Sequence, residues 1–246
     1  MLPLRDDQRP ARAPIVTLVV ISACVAVFVR AGSVGLEELS STYGLVPADA
    51  IDRFDRLRDA FPHVQLREVW RLLAPFLSSL FLHQDLMHLA GNLWFLWVFG
   101  PAVEGRFGSA VFGLFYFLCG IAAGCLHAWM TSGETVPRPG PFGLAVSVPI
   151  DTLPTIGASG AIAGVLGAYF ILFPRARVAT FFPPFFLFVV PAVVFLGLWF
   201  VGQYLAVNAI AMRVTGVAYG AHVGGFLAGM LLAVTAMVAR PREFVR

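Results

Sequence analysis

The sequence predicts an all-α membrane protein, a bundle of six transmembrane helices with a long membrane-associated first loop. Two observations predict this fold class. Of the 246 residues, 59% are hydrophobic and only 13% are charged, with a mean hydropathy of +0.82, whereas soluble domains carry about one-quarter charged residues. Six apolar stretches also approach the roughly 20 residues that a helix needs to cross the hydrocarbon core.

The six predicted spans follow one another along the chain. Their approximate bounds are 14–31, 86–103, 109–130, 157–173, 185–207 and 216–238. Two further apolar segments, 75–82 and 141–150, are too short to cross a bilayer, and this length is typical of re-entrant or interfacial pieces. No repeat of 20 to 50 residues is visible, so the sequence does not support a solenoid or an inverted-repeat transporter.

The only long polar region, residues 32–85, separates the first two spans. It mixes acidic and basic residues with apolar positions at helical spacing, and it is too short to form a separate domain. We therefore expect three parts: a cytoplasmic N-terminal segment 1–13, a six-helix domain 14–239 that includes this loop, and a cytoplasmic tail 240–246.

The distribution of arginine predicts the orientation, since all 17 basic residues are Arg. With the N-terminus inside, nine arginines fall in short cytoplasmic segments, and most of the other eight lie in or beside the long first loop, which the positive-inside rule weights less. We expect both termini in the cytoplasm of a bacterium, with the helices in its plasma membrane. A cleaved signal peptide is the alternative for the first apolar run, but residues 29–32 (VRAG) are a poor cleavage site.

The charges and cysteines argue against several classes of function. The net charge of +3 is spread over loops and termini, which is typical of contacts with lipid headgroups and not with nucleic acid. Cys24, Cys119 and Cys125 lie in apolar stretches without C-x-x-C spacing, so we interpret them as small core residues. The sequence has no H-E-x-x-H zinc motif and no aspartate in any span. We expect neither a metal nor a cofactor.

Four polar residues fall inside the predicted spans, where such groups are costly and mark candidate functional sites. They are His88 and Asn92 in the second span, Ser159 in the fourth and His222 in the sixth. Even-numbered helices cross the membrane in the same direction, and each residue is the third to seventh of its helix. At 1.5 Å rise per residue, the four lie in one layer roughly 4 to 10 Å below one membrane face, which predicts a shared site.

Ser159 opens the fourth span in the motif Gly157-Ala158-Ser159-Gly160. A serine at a helix start lies beside backbone N–H groups without helical partners, and the positive end of the helix dipole favours an oxyanion there. The alternative is structural: Gly160, Gly164 and Ala168 form a packing stripe, and the serine merely bonds to backbone.

His222 lies in a run of small residues, with Ala218, Gly225 and Gly229 on its helix face. Such a face allows a neighbouring helix to approach closely, as a serine-to-histidine hydrogen bond requires. A histidine satisfied by a helix carbonyl or by water is the alternative.

His88 and Asn92 are four residues apart on one helix face and can donate to a common point, as an oxyanion hole requires. Alternatively, Asn92 bonds to an adjacent helix.

The fourth and sixth spans contain no Asp or Glu, so any serine chemistry must use a Ser-His dyad without a carboxylate. The other histidines are weaker candidates. His83 is expected to be solvated or bonded to the loop, and His127 to extend toward the interface.

These motifs resemble the rhomboid intramembrane proteases. The resemblance covers most of the chain from Tyr43 to Ala239 and keeps the family's order. It rests on the motifs Trp70-Arg71, His88-x-x-x-Asn92, Glu104 with Gly108, Gly157-x-Ser159-Gly160 and Gly220-Ala221-His222-x-x-Gly225.

The resemblance implies a six-helix core in which Ser159 is the nucleophile and His222 the general base. The oxyanion hole would comprise His88, Asn92 and the Ser159 N–H. The implied substrates are single-pass transmembrane proteins cleaved near the outer membrane face, and the oligomeric state is open. By the same analogy, segment 68–82 is a membrane-embedded loop, and the fifth helix, with Trp199 and Phe200, is the mobile side through which substrate enters.

The chain departs from the family pattern at one position. Many members have an aromatic residue four positions after the nucleophile, where it stacks on the imidazole, but here that residue is Ala163. We expect the imidazole to be supported from elsewhere.

Two other functions fit part of the pattern. One is a non-catalytic rhomboid-like protein that binds membrane clients, but such a protein is expected to lack the serine or the histidine. The other is a transporter or channel, in which polar residues would continue across the membrane.

Overall fold

The computed structural model describes residues 1–8, 12–139, 145–182, 184, 186–207 and 217–239. Helices dominate these residues, and two small antiparallel sheets accompany them. The helices are α1 Ile15–Val34, α2 Leu36–Tyr43, α3 Pro47–Asp59, α4 Leu66–Ser78, α5 Leu86–Phe107, α6 Ser109–Thr131, α7 Ser159–Leu172, α8 Ala192–Val207 and α9 Tyr219–Ala239. The strands are β1 Leu2–Asp6, β2 Thr135–Pro139, β3 Ala145–Pro149, β4 Arg177–Phe182 and β5 Phe186–Pro191.

Each predicted span contains an apolar helix, but the helices differ in length. Within the described residues, four are long and apolar enough to cross a bilayer: α1, α5, α6 and α9, with 20, 22, 23 and 21 residues. The other two, α7 and α8, have 14 and 16 residues. At 1.5 Å per residue, these two cover about 21 and 24 Å of a core that is about 30 Å thick. The chain is thus a membrane protein with several apolar helices, of which four meet the length for a span.

The predicted start of the fifth helix at residue 185 is wrong. Residues Phe186–Pro191 form β5, which pairs with β4, and the helix begins only at Ala192. Phenylalanine and valine favour strands, and a short apolar run does not distinguish a strand from a buried helix. Within the expected N-terminal segment 1–13, strand β1 pairs with β4 and completes a three-stranded sheet. The all-α prediction therefore misses this sheet.

The two short apolar segments have different structures. Segment 75–82 forms the end of α4 and a 3₁₀ turn, with Phe76, Leu80 and Leu82 buried. In segment 141–150, residues 145–149 form β3 and pair with β2, and residues 141–144 lie outside the described part. The first loop is itself largely helical, as its apolar spacing predicts, and consists of α2, α3 and α4. The predicted tail 240–246 lies outside the described residues.

Helix α7 lies at the centre of the bundle. Ten consecutive residues, Gly160–Tyr169, are buried. Glycines of α9 permit its close contact with α7: a Cβ added at Gly225 would overlap the Gly160 carbonyl, and one added at Gly229 would overlap the Gly164 carbonyl. The small residues of α7 and those on the His222 face of α9 therefore form one contact surface. This surface packs the two helices together and brings their N-terminal ends close to each other.

Glu104 ties the start of α1 to the end of α5. Its carboxylate accepts hydrogen bonds from the backbone N–H groups of Val16 and Thr17 at 2.9 and 2.8 Å, and from the hydroxyls of Thr17 and Ser109 at 2.7 and 2.6 Å. It is only 2% exposed. A buried charge is tolerated when donors surround it, and here two of the donors are N–H groups at a helix N-terminus that lack helical partners. This carboxylate is structural and lies at the far end of α5 from His88.

Of the three cysteines, Cys24 and Cys119 are buried as expected. Cys125 is exposed on the surface of α6. The prediction that all three are core residues is therefore wrong for Cys125, since an apolar neighbourhood in a membrane sequence does not distinguish a core-facing from a lipid-facing position.

Candidate active site

A cavity of about 1000 Å³ lies among helices α5, α6, α7, α8 and α9, at the N-terminal ends of α5, α7 and α9. Four of the residues that line it are the predicted ones, His88, Asn92, Ser159 and His222. The structure therefore places together the four side chains that were selected only because they are polar residues at similar depth in parallel helices.

Ser159 reaches the cavity because an irregular segment enters the bundle before α7. Polar backbone that is not helical is tolerated at this depth only where protein satisfies it. Thr155 exchanges two backbone hydrogen bonds with Leu45, at 2.7 and 3.0 Å, and the Gly157 N–H donates to the Ser79 carbonyl at 2.9 Å. Gly157 has φ +125°, a conformation that favours glycine. This turn delivers Ser159 as the first residue of α7.

Ser159 lies beside the backbone N–H groups of the first turn of α7. The backbone N–H groups in the first turn of a helix have no intrahelical acceptor, and they point toward the side where the chain enters. The first helical bond at this end is donated by Ile162 to the Ala158 carbonyl, at 3.0 Å. Within the described structure no direct hydrogen bond joins Ser159 to His222. Catalytic hydrogen bonds are often long without substrate.

His88 faces the turn that carries Ser159. Asp85 caps α5 by accepting a hydrogen bond from the His88 N–H at 2.8 Å. The His88 Nδ1 accepts a long, 3.5 Å hydrogen bond from the Gln84 N–H, which favours the neutral tautomer with the proton on Nε2. That Nε2 lies 2.8 Å from where a Cβ on Gly157 would be. The imidazole thus directs an N–H toward the Gly157–Ser159 turn, and only a glycine leaves room for it.

Asn92 lies one turn below His88 on the same face of α5. Its Nδ2 donates to the His88 carbonyl at 3.0 Å. The amide nitrogen carries two hydrogens, so one bond to the helix backbone leaves a second donor. Asn92 is 7% exposed and lines the cavity. The alternative was that Asn92 bonds to an adjacent helix. The hydrogen bond of its side chain goes instead to its own helix.

His222 is held by residues of α8. Its Nδ1 lies 2.7 Å from Oε1 of Gln203, and its ring lies 5.9 Å from the ring of Trp199, centroid to centroid. Tyr219, one turn earlier on α9, meets the imidazole edge to face at 6.1 Å. Ala163 lines the same cavity but offers no ring. The support for the imidazole that an aromatic residue at position 163 would provide therefore comes from Trp199, Gln203 and Tyr219.

Two histidines differ from the sequence-based expectation. His127 was expected to reach the interface, but it is 5% exposed, lines the cavity, and its Nε2 lies 3.0 Å from the Thr155 hydroxyl. His83 bonds to the Phe81 carbonyl, as one of its two expected interpretations required, yet it is 1% exposed and packs edge-on against His88. Burial, with a smaller contribution from His88, lowers the pKa of His83 to about 4, so this ring is neutral at physiological pH.

Gln203 is the residue at this site that sequence reasoning missed. A signal was present, because a glutamine in a predicted span is as unusual as an asparagine. The fifth span is an odd-numbered helix that runs opposite to the three that carry the other polar residues, so an alignment by depth on parallel helices does not include Gln203. Among the described residues, no group of three or more His, Cys, Asp or Glu side chains is arranged to hold a metal ion.

Comparison with known proteins adds an independent result. The model of the Rhomboid domain matches residues 66–239. Rhomboid protein 1 of Saccharomyces cerevisiae mitochondria is 30% identical over 185 residues, 68% of this chain and 47% of its own. The human presenilin-associated rhomboid-like protein, also mitochondrial, is 31% identical over 65% of this chain and 37% of its own. Rhomboid protease GluP of Bacillus subtilis is 38% identical over 41% of this chain and 15% of its own.

The chain spans about half the length, or less, of these relatives. The matched region includes α5, α7 and α9, and hence all four predicted site residues. Because the domain model covers most of the sequence, this membrane protein belongs to the rhomboid family.

Proposed function

We propose that this chain is an intramembrane serine endopeptidase that cleaves transmembrane protein substrates through a Ser159–His222 dyad. One observation carries the proposal: three separate helices bring a helix-start serine, a histidine and two further donors to one cavity. One relative, GluP, is named a rhomboid protease. The presence of both serine and histidine argues against a non-catalytic client-binding protein, and the confinement of the polar residues to one layer argues against a channel.

In this mechanism the His222 Nε2 takes the proton of Ser159 as Oγ attacks the carbonyl carbon of the scissile peptide bond. The tetrahedral oxyanion is stabilised by the Ser159 N–H, the His88 Nε2–H and the free hydrogen of Asn92 Nδ2. His222 then gives its proton to the leaving amide nitrogen, which leaves an acyl group on Ser159. Water attacks this ester and His222 accepts the water's proton. When the bond between the carbonyl carbon and Oγ breaks, His222 returns that proton to Oγ, which releases the carboxylic acid product and regenerates the serine hydroxyl.

The substrate class follows from the depth of the cavity. A peptide bond inside a transmembrane helix is hydrogen-bonded, so it must unwind before a serine can attack it. Ser159 lies at the start of α7, and Ile162, Ala163 and Leu166 line the cavity farther along that helix. We infer that the substrate is a single-pass protein whose helix is weak near the cleaved bond, with an apolar side chain entering the deeper part. The cleaved bond lies near the outer face when both termini are cytoplasmic.

The expected location in a bacterial plasma membrane gains no support from the comparisons, because two of the three relatives described above are mitochondrial. The proposal requires only a bilayer.

The test of this function is covalent labelling of the purified full chain with a serine-directed fluorophosphonate. We expect one adduct, located by mass spectrometry on Ser159, and its loss in His222→Ala, because the hydroxyl is a weak nucleophile without its base. Labelling of a different serine, or undiminished labelling of His222→Ala, would contradict the dyad.

The two α5 donors yield a separate prediction. Removing one oxyanion donor costs about 10²- to 10³-fold in turnover, so His88→Ala and Asn92→Ala are each expected to lower kcat by that factor while KM stays nearly constant. The measurement is steady-state cleavage of a transmembrane substrate in proteoliposomes, with the melting temperature recorded for each variant. A large fall in melting temperature with proportionate loss of activity would instead assign these residues a structural role.

A further inference from the structure

We propose that Gln203 is a positioning residue for the general base, holding His222 in the tautomer that can accept the proton of Ser159. The proposal rests on the proposed function, because it concerns the same reaction. It adds a residue from α8 that neither the motifs nor the family match singles out.

The hydrogen bond between the two side chains determines which nitrogen is protonated. Oε1 of Gln203 lies 2.7 Å from the His222 Nδ1. A carbonyl oxygen accepts and does not donate, so Nδ1 carries the proton. In a neutral imidazole the other nitrogen then has a free lone pair. Nε2 is on the opposite side of the ring from Gln203, and its lone pair is what a general base requires.

Among the described residues, the hydrogen-bond partner of the His222 Nδ1 is the Gln203 amide and not a carboxylate. In a Ser-His-Asp triad, the aspartate holds the imidazole in the correct tautomer and orientation. Neither α7 nor α9 contains an Asp or Glu. The titratable groups of other helices that act on His222 are His88 and His127, which are neither acidic nor bonded to its Nδ1. The amide of Gln203 occupies the place that the aspartate has in a Ser-His-Asp triad.

The packing of α8 explains why Gln203 stays in place. Phe195 and Leu196, in its first half, are 1% and 0% exposed. One turn further, Phe200 stacks on Phe226 of α9 with ring centroids 4.6 Å apart, and Trp199 lies over both Phe226 and His222. Gln203 follows Trp199 by four residues, so both side chains project from the same helix face. That face packs against α9 through Trp199 and Phe200, and this packing brings the amide to the imidazole.

The chemical consequence is a change in turnover and not in substrate affinity. Without the acceptor, neutral His222 also populates the tautomer with the proton on Nε2, in which that nitrogen has no lone pair to accept the proton of Ser159. A neutral hydrogen bond contributes about 1 kcal/mol, about a 5-fold change in the tautomer ratio, and the ring also loses its orientation. We expect Gln203→Leu to lower kcat about 10-fold or more with KM unchanged.

A second variant separates positioning from packing. Gln203→Glu keeps the length of the side chain and an acceptor oxygen, so it should retain activity at high pH. Its carboxylate would also stabilise the imidazolium, and the acid limb of the kcat profile should move to higher pH. Leu205→Ala is the matched control, because Leu205 is on the same helix and 61% exposed; it should behave as wild type.

The direct measurement is ¹⁵N NMR of the histidine-labelled full chain in detergent, with the His222 signal assigned by its loss in His222→Asn. We expect the Nδ1–H tautomer in the wild type and a mixture in Gln203→Leu. A wild-type signature of Nε2–H, as the opposite amide orientation would produce, overturns the proposal. So does wild-type kcat in Gln203→Leu. Undiminished cleavage by Ser159→Ala would overturn the serine mechanism itself, whereas a null result at Gln203 alone leaves it intact.

Discussion

Ser159→Ala is expected to reduce cleavage of a transmembrane substrate by at least about 10³-fold. The hydroxyl forms the covalent bond in the proposed reaction, and Ser159 is the only serine among the described residues that line the cavity. In serine proteases, loss of the nucleophile leaves only the contribution of substrate binding and oxyanion stabilisation. Cleavage should be measured with purified chain in proteoliposomes, under single-turnover conditions in which a residual rate can be quantified.

The same experiment distinguishes a catalytic pair from two independent contributors. Residues that act as a unit show effects that do not add. His222→Ala should therefore lose nearly as much activity as Ser159→Ala, and the double variant should lose little more. Ser41→Ala, a serine on the exposed surface of α2, is the matched control and should cleave at the wild-type rate. Retention of a tenth or more of the activity by Ser159→Ala would exclude the nucleophile assignment.

Much of the candidate site was predictable because a bilayer makes polar residues conspicuous. His88, Asn92, Ser159 and His222 were identified from their position in apolar stretches, and hydropathy also located every apolar helix of the described chain. Their proximity followed from helix direction and rise per residue, which need no knowledge of tertiary contacts. Depth and direction are local properties, and local properties can be read from sequence.

The features that were missed depend on contacts between distant parts of the chain. Strand β5 was predicted as helix because its apolar residues suit both structures, and its partner β4 pairs in turn with β1, which begins at residue 2. The buried His127 makes its contact with the hydroxyl of Thr155, 28 residues away. Gln203 gains its significance only from the rotation of α8, which places the amide and Trp199 over His222. Helix rotation about its axis is set by packing, and a sequence such as that of α8, apolar on nearly every face, contains little information about it.

Gly229→Ala is expected to disrupt the protein far more than the addition of one methyl group suggests. The new Cβ would lie 2.6 and 2.7 Å from the carbonyl carbon and Cα of Gly164, and would overlap the carbonyl oxygen. These are backbone atoms of a buried helix, so no side-chain rotation can relieve the overlap, and α9 must move away from α7. Overpacking of this kind costs about 1–3 kcal/mol, which exceeds the roughly 1 kcal/mol that alanine gains over glycine in a helix.

The effect on activity should exceed the effect on stability. The contact between α7 and α9 sets the distance between Ser159 and His222, and a misplacement of about 1 Å from a distant mutation can cost about 10²-fold in rate. The measurements are the melting temperature in detergent and the cleavage rate at a temperature where the variant remains folded. Gly32→Ala is the matched control, since a Cβ there meets nothing within 4 Å. A folded Gly229→Ala with the wild-type rate would show that the reacting pair tolerates a wider helix spacing, and that the glycines serve packing alone.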